Sequence, residues 1–167
     1  SFVIVFEAVN AFMLYKQMQD GLTHLQNAQK LFQGSAGDPA RYFDTHRLRQ
    51  AGVEIDAAHA DFVSLSNKLD RSDTVALAAN FMSSRVDTLR ALGHIAVTGT
   101  ALAQQVIRTA IEVAPSVAPA LQLAMASSDT LPIKPYITHS VFQKITNMLE
   151  TITPLIHDMN ASARGLV

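Results

Sequence analysis

The chain has 167 residues, no Cys, a net charge of -1 and only 16% charged side chains against 49% hydrophobic ones. That length suits one domain with a proper core and leaves two independent domains cramped. The near-zero charge offers no basic stripe for nucleic acid, and the missing Cys excludes disulfides, thiolate metal sites and a Cys nucleophile. Soluble domains carry about a quarter charged residues, so this surface is suited to an apolar anchor or a partner.

The first predicted helix covers Phe2 to Gln33 and changes character along its length. From Phe2 to Leu14 it is apolar nearly all round, and from Met18 a one-sided stripe takes over: Met18, Leu22, Leu25, Ala28 and Phe32. Residues 1–14 therefore form an apolar segment and residues 15–167 the bundle domain. A membrane span takes about 20 apolar residues. The run is shorter and contains Glu7 and Asn10, so it reads as the end of a transmembrane helix or as a buried core helix. Phe2, Val3, Ile4, Val5, Phe6, Val9, Phe12 and Met13 are its expected membrane or assembly contacts. Ser1 sits directly in the apolar run, which reads as processing or excision from something longer.

Gly34 suits the left-handed residue after a helix, and Asp38-Pro39 reads as N-cap and first residue of a second helix running to about Asp70. Its seam is Leu48, Ala51, Ile55, Ala58, Phe62, Leu65 and Leu69, a 3.5-residue repeat. Arg49, Glu54, Asp61 and Lys68 form the opposite, solvated face. Ser72 or Asp73 supplies the next cap. A short helix to about Phe81 and a long one from about Ser84 to Val113 follow, the latter with a seam of Leu89, Leu92, Ala96, Gly99, Ala103, Val106 and Ala110. The small residues in that seam let a neighbouring helix come close.

Pro115 and Pro119 break the pattern, with a short helix at Ala118 to Ser127 and an extended connector at Leu131-Pro132-Ile133-Lys134-Pro135. Thr138 or Ser140 caps a last helix with the seam Val141, Ile145, Met148, Ile152, Leu155, Met159 and Leu166, kinked by Pro154. No stretch alternates as a strand does. The predicted fold is all-α: an antiparallel bundle of about four long helices with one or two short accessory helices.

Candidate chemistry is sparse. The six histidines, His24, His46, His59, His94, His139 and His157, lack the Glu-x-x-His pairs of a di-metal bundle. His94, between Gly93 and Ile95, is the best lone haem-ligand candidate, and a structural or exposed histidine is the preferred reading. Asp56, His59 and Asp61 are close in sequence but project in different directions. Ser64 and Ser66 lack the strained turn of a nucleophile elbow. Gly34-Ser35-Ala36-Gly37-Asp38 lacks a phosphate-loop Lys and a preceding strand. No catalytic residue, metal or cofactor is expected. Glu7 in its apolar run invites comparison with type IV pilins, but the β-rich head that follows in those proteins is missing here, and a Glu at a membrane interface or a neighbouring helix is preferred.

Gly21-Leu22-Thr23-His24-Leu25-Gln26-Asn27-Ala28-Gln29, Arg47-Leu48 through Ala57-Ala58, Asp61-Phe62 and Leu65 resemble a family of bacterial envelope proteins known only as a domain of unknown function. Leu131-Pro132-Ile133 and Thr153-Pro154-Leu155-Ile156 echo it further. The resemblance implies a single N-terminal span in the cell membrane, this bundle on the extracytoplasmic side, and a following domain absent from this sequence. It brings no catalytic residues. The leading expectation is a non-enzymatic, membrane-anchored stalk or interaction module, with the membrane, other envelope proteins or copies of itself as partners. The alternatives are an extracytoplasmic sensor bundle for a small ligand, a filament subunit in which copies bury Phe2 to Leu14, and a cofactor-binding bundle.

Overall fold

The computed structural model describes residues 2–34, 37–126 and 138–166, with the side chains at 2–11, 39, 72–87 and 123–126 outside that description. Among the described residues the protein is all-α, an antiparallel helical bundle with no strand. Its helices are α1 (Phe2–Leu31), α2 (Thr45–Asp70), α3 (Ser72–Ala126) and α4 (His139–Arg164), with a 3-10 turn at Pro39–Phe43 before α2. Each helix packs on the next in sequence, and the described parts of α1 and α4 do not meet.

The register is fixed by a few side chains. Gly21 of α1 faces Phe62 of α2, and Gln17 reaches Ser64 and Lys68. On the other side of α2, Gly52 faces Ile107, His59 faces Thr100 and Ser66 faces Gly93 of α3. Met159 of α4 touches Gly99, and Lys144 lies 4.0 Å from Glu112. Glycines on α3 thus seat side chains from both neighbours, because the missing Cβ lets bulk approach the backbone.

The core has two connected parts. Ala58, Phe62, Leu65 and Leu69 form one, enclosed by Leu14, Met18 and Leu25 of α1 and Leu89, Ala96 and Val97 of α3. Ala28, Ala51 and Ile55 form the other, with Leu31, Phe32, Ala103 and Ile107 around them. The whole predicted α2 seam is buried, joined by Ser66. Burying such aliphatic and aromatic side chains contributes roughly 1.5–3 kcal/mol each.

The structure corrects the α1 stripe. Leu22 is exposed, and Gly21 takes its place in the line Leu14, Met18, Gly21, Leu25, Ala28, Phe32, because the Phe62 ring needs the room that a glycine leaves. Gly34 has φ +78°, the left-handed turn expected of it. The second helix begins at Thr45 and not at Pro39: the Asp44 carboxylate accepts from the amides of His46 and Arg47, which starts α2 there and leaves Pro39–Phe43 as a separate 3-10 turn. Asp38 makes no side-chain cap.

Helical backbone is continuous from Ser72 to Ala126, through Ser83-Ser84, Pro115 and Pro119, so the expected separate helices are merged. A proline removes one amide and distorts a turn, but flanking hydrogen bonds and packing at Val113 and Ala114, both buried, keep the helical course. The first part of α3 cannot be straight. Arg71 alone separates α2 from α3, yet the Arg90 Nε donates to the Leu69 carbonyl at 3.3 Å, and Gly93 sits against Leu69 and Ser66. A straight helix would put Arg90 about 27 Å from Ser72, beyond the reach of its side chain. The helix is therefore bent between Ser72 and Arg90.

The α3 seam is also corrected. Leu92 and Val106 are exposed, while the side toward α2 carries Leu89, Gly93, Ala96, Val97, Thr100, Ala103 and Ile107. Because α3 packs on α2 and on α4, two contact lines replace one. In α4, Thr138 caps through its hydroxyl, which accepts from the Val141 amide, and the helix runs through Pro154. Val141 and Ile152 are buried and Leu166 is exposed. The cap at Ser72 or Asp73 and the connector Leu131–Pro135 lie outside the described side chains and residues respectively.

Candidate functional site

The expected contact residues sit at one end of the bundle. Phe2, Val3, Ile4, Val5, Phe6 and Val9 are on the helical backbone of α1, with their side chains outside the described set. Phe12 and Met13 are exposed, Tyr15 beside them is exposed too, and Leu14 turns into the core. The α1–α2 register carries the chain before about residue 13 past the last turn of α2. Two characters thus meet on one helix: Leu14 onward is held by α2, and the residues before it run clear of that partner.

The polar side chains near this end tie helices together. Lys68 Nζ donates to Gln17 Oε1 at 3.0 Å, and Gln17 Nε2 donates to the Ser64 hydroxyl at 2.7 Å. Arg90 reaches Leu69 and Asp70, and His94 Nε2 lies 3.9 Å from Asp70. His94 is more than half exposed at its side chain, a poor setting for a haem ligand.

The remaining candidates are distributed between helix pairs. His24 on α1 stands between two α2 carboxylates, with Nδ1 2.6 Å from Glu54 Oε2 and Nε2 3.8 Å from Asp61 Oδ2. Asp56 accepts from Gln104 on α3. His59 Nδ1 lies 2.8 Å from the Thr100 hydroxyl, which lies 2.8 Å and 3.0 Å from the carbonyls of Ala96 and Val97. Thr100 has one proton and spends it on its own helix, so it accepts from His59, and neutral His59 carries its proton on Nδ1. Asp56, His59 and Asp61 thus serve three different contacts, two toward α3 and one toward α1. Among the described residues, no three His, Asp or Glu side chains converge as a metal site.

One feature escaped the sequence reading. Phe142, Leu149 and Ile156 of α4 are 63%, 50% and 44% exposed, and they stand seven residues apart on one line. Between them, the hydroxyls of Thr146 and Thr153 donate to the carbonyls of Phe142 and Leu149, which leaves their methyl groups as the outward chemistry. The signal was in the sequence: α4 carries a further heptad line of apolar residues beside its seam, and α3 covers only the seam. The 3-10 turn is held at the opposite end by the stacking of Tyr42 on Phe32, with ring centroids 5.9 Å apart.

No protein-family model, curated protein or solved structure matches the chain.

Proposed function

We propose that this chain is a non-enzymatic stalk or interaction module of the cell envelope, attached to a membrane through the N-terminal part of α1 and standing on its extracytoplasmic side. The observation that carries this reading is the division of α1: one unbroken helix, Phe2–Leu31, is packed on α2 from Leu14 onward and exposes Phe12 and Met13 just before it. No helix among the described residues is long and apolar enough to cross a membrane. Phe2 to Leu14 extends about 20 Å against a hydrocarbon core of about 30 Å, which is enough to enter the apolar layer from one side. The extracytoplasmic orientation and the envelope setting come from the family resemblance alone.

The interaction half of the proposal draws on α4. A line of apolar side chains that nothing among the described residues covers suits contact with another macromolecule more than it suits solvent. The polar groups support the non-enzymatic half, since His24, Asp56, His59 and Ser64 are engaged in holding one helix to another.

The test begins with vesicle flotation of the full chain and of a form lacking residues 1–13; the cut spares Leu14 because it packs on the core. The reading expects the full chain to float and the shortened one to stay behind as a monomer by light scattering, with helicity and cooperative thermal unfolding retained. Aggregation or loss of cooperative unfolding on shortening would place the run in the bundle's own core and withdraw the membrane placement. Soluble multimers of the full chain that ignore vesicles would replace the anchor by self-assembly.

A further inference from the structure

We infer that α4 pairs with the α4 of a second copy of this chain, in antiparallel orientation, through the line of Phe142, Leu149 and Ile156. This rests on the reading of that line as an interaction surface and names its partner.

The exposed line belongs to a second coiled-coil seam. Phe142, Thr146, Leu149, Thr153, Ile156 and Asn160 follow one another at alternating spacings of four and three residues, the repeat by which one helix seats its side chains between those of another. At about 100° per residue this seam lies roughly a quarter turn round α4 from the one on α3. Phe142, Leu149 and Ile156 are exposed, and the hydroxyls of Thr146 and Thr153 are spent on their own helix. Among the described elements α4 packs on α3 alone.

Charge decides what fits. The edge of this seam away from α3 carries Gln143, Glu150, His157 and Arg164, all exposed. An acidic group near the middle and a basic one at the end make that edge complementary to itself when it is reversed. In an antiparallel pair the same edge of each helix meets its counterpart; in a parallel pair it meets the opposite edge, which here is packed on α3. Setting Leu149 against the second copy's Asn160, and Ile156 against the second copy's Thr153, puts each Glu150 between the second copy's His157 and Arg164. The next register, with Leu149 against Thr153, brings the two Glu150 carboxylates together and is opposed by like charge.

The overlap is about 30 Å of helix and buries roughly 700 Å² over both copies, less than the ~1,200 Å² at which stable complexes begin. The polar Asn160 weakens the seam further. The pairing is therefore reversible in solution, and attachment of both copies to one membrane strengthens it by raising their local concentration.

The absence of Cys allows a direct test on the full chain. Single nitroxide labels at Ser140→Cys or Thr151→Cys are measured by pulsed EPR, in concentrated solution and on vesicles. The antiparallel pair expects label separations of about 50 Å at residue 140 and about 30 Å at residue 151. Glu150→Lys should weaken the pairing about threefold, and Glu150→Lys with Arg164→Glu should restore it. Equal separations at the two sites mean a parallel pair and overturn the inference, as does a Glu150→Lys defect that Arg164→Glu leaves unrelieved. Association that survives the triple change Phe142→Ser, Leu149→Ser, Ile156→Ser arises elsewhere, and also overturns it. No measurable separation in either setting, with the triple variant unfolding as the unaltered chain does, overturns the second copy and leaves the line as a surface for a different macromolecule. Loss of cooperative unfolding in the triple variant assigns the line to the chain's own packing and overturns both readings.

Discussion

Gly21 of α1 and Phe62 of α2 are fitted to one another: a Cβ built on Gly21 would stand 2.7 Å from two carbons of the Phe62 ring. No real contact is that close, and the ring cannot easily move, since Phe62 is 3% exposed at the centre of the core. Gly21→Ala sets a helix-propensity gain of about 1 kcal/mol against an overpacking cost of typically 1–3 kcal/mol. A net loss of stability of up to about 2 kcal/mol is expected in urea unfolding. In a Phe62→Leu background the same change should become neutral or stabilising. If Gly21→Ala stabilises the otherwise unaltered chain, α1 and α2 are not in the register described.

That pair also explains how far the fold was legible. The α2 seam was readable because every buried position is a hydrophobic residue on a helix with one packed face. In α1 the same rule selected Leu22, since a pattern of hydrophobic residues cannot register a position whose contribution is the absence of a side chain. In α3 it merged two faces into one line, because a helix packed on both sides has apolar residues almost all round and no single stripe. The α4 line of Phe142, Leu149 and Ile156 was missed for a related reason: it adjoins the seam on α3, and a wide apolar arc reads as one seam. The membrane or assembly residues were named from composition, and the structure adds that Phe12 and Met13 are outside the core while Leu14 is inside it.

Thr100 and His59 make a hydrogen-bonded cross-link between α3 and α2. Thr100 is 3% exposed, and its hydroxyl both donates to its own helix and accepts from His59. Thr100→Val keeps the shape and removes the acceptor, leaving the His59 N–H without its partner in a partly buried site. The expected cost is about 1–3 kcal/mol, largely restored by Thr100→Ser. Nitrogen NMR of neutral His59 should show the Nδ1–H tautomer; the other tautomer would reverse the donor assignment.

His24 with Glu54 and Asp61 links α1 to α2, as an ion pair when the imidazole is protonated. The side chains of His24 and Glu54 are about one-third exposed, so solvent screens the pairing, and exposed pairs of this kind contribute about 0.2–1 kcal/mol. A double-mutant cycle with His24→Gln and Glu54→Gln should give a coupling within that range that shrinks in high salt. A coupling well above that range, or one indifferent to salt, would mean that the pair is far better shielded than its exposure indicates.

Ile152 and Leu149 lie three residues apart on α4 and should answer differently to the same substitution. Ile152 is buried against α3 and Leu149 is half exposed. Ile152→Ala removes buried methyl groups and leaves a cavity, a loss of about 2–5 kcal/mol. Leu149→Ser removes surface that already meets water, and as a surface change away from special features it should cost within about 0.5 kcal/mol, although it lowers helix propensity slightly. Both are measured by thermal and urea unfolding of the isolated chain. The comparison is informative because folding alone places no demand on Leu149, Phe142 or Ile156. If Leu149→Ser destabilises the chain as much as Ile152→Ala, the stripe is packed within the protein itself, and its reading as a surface for another macromolecule is lost. If its stability is unchanged, then any loss of association seen for a triple Phe142→Ser, Leu149→Ser, Ile156→Ser variant measures binding and not folding.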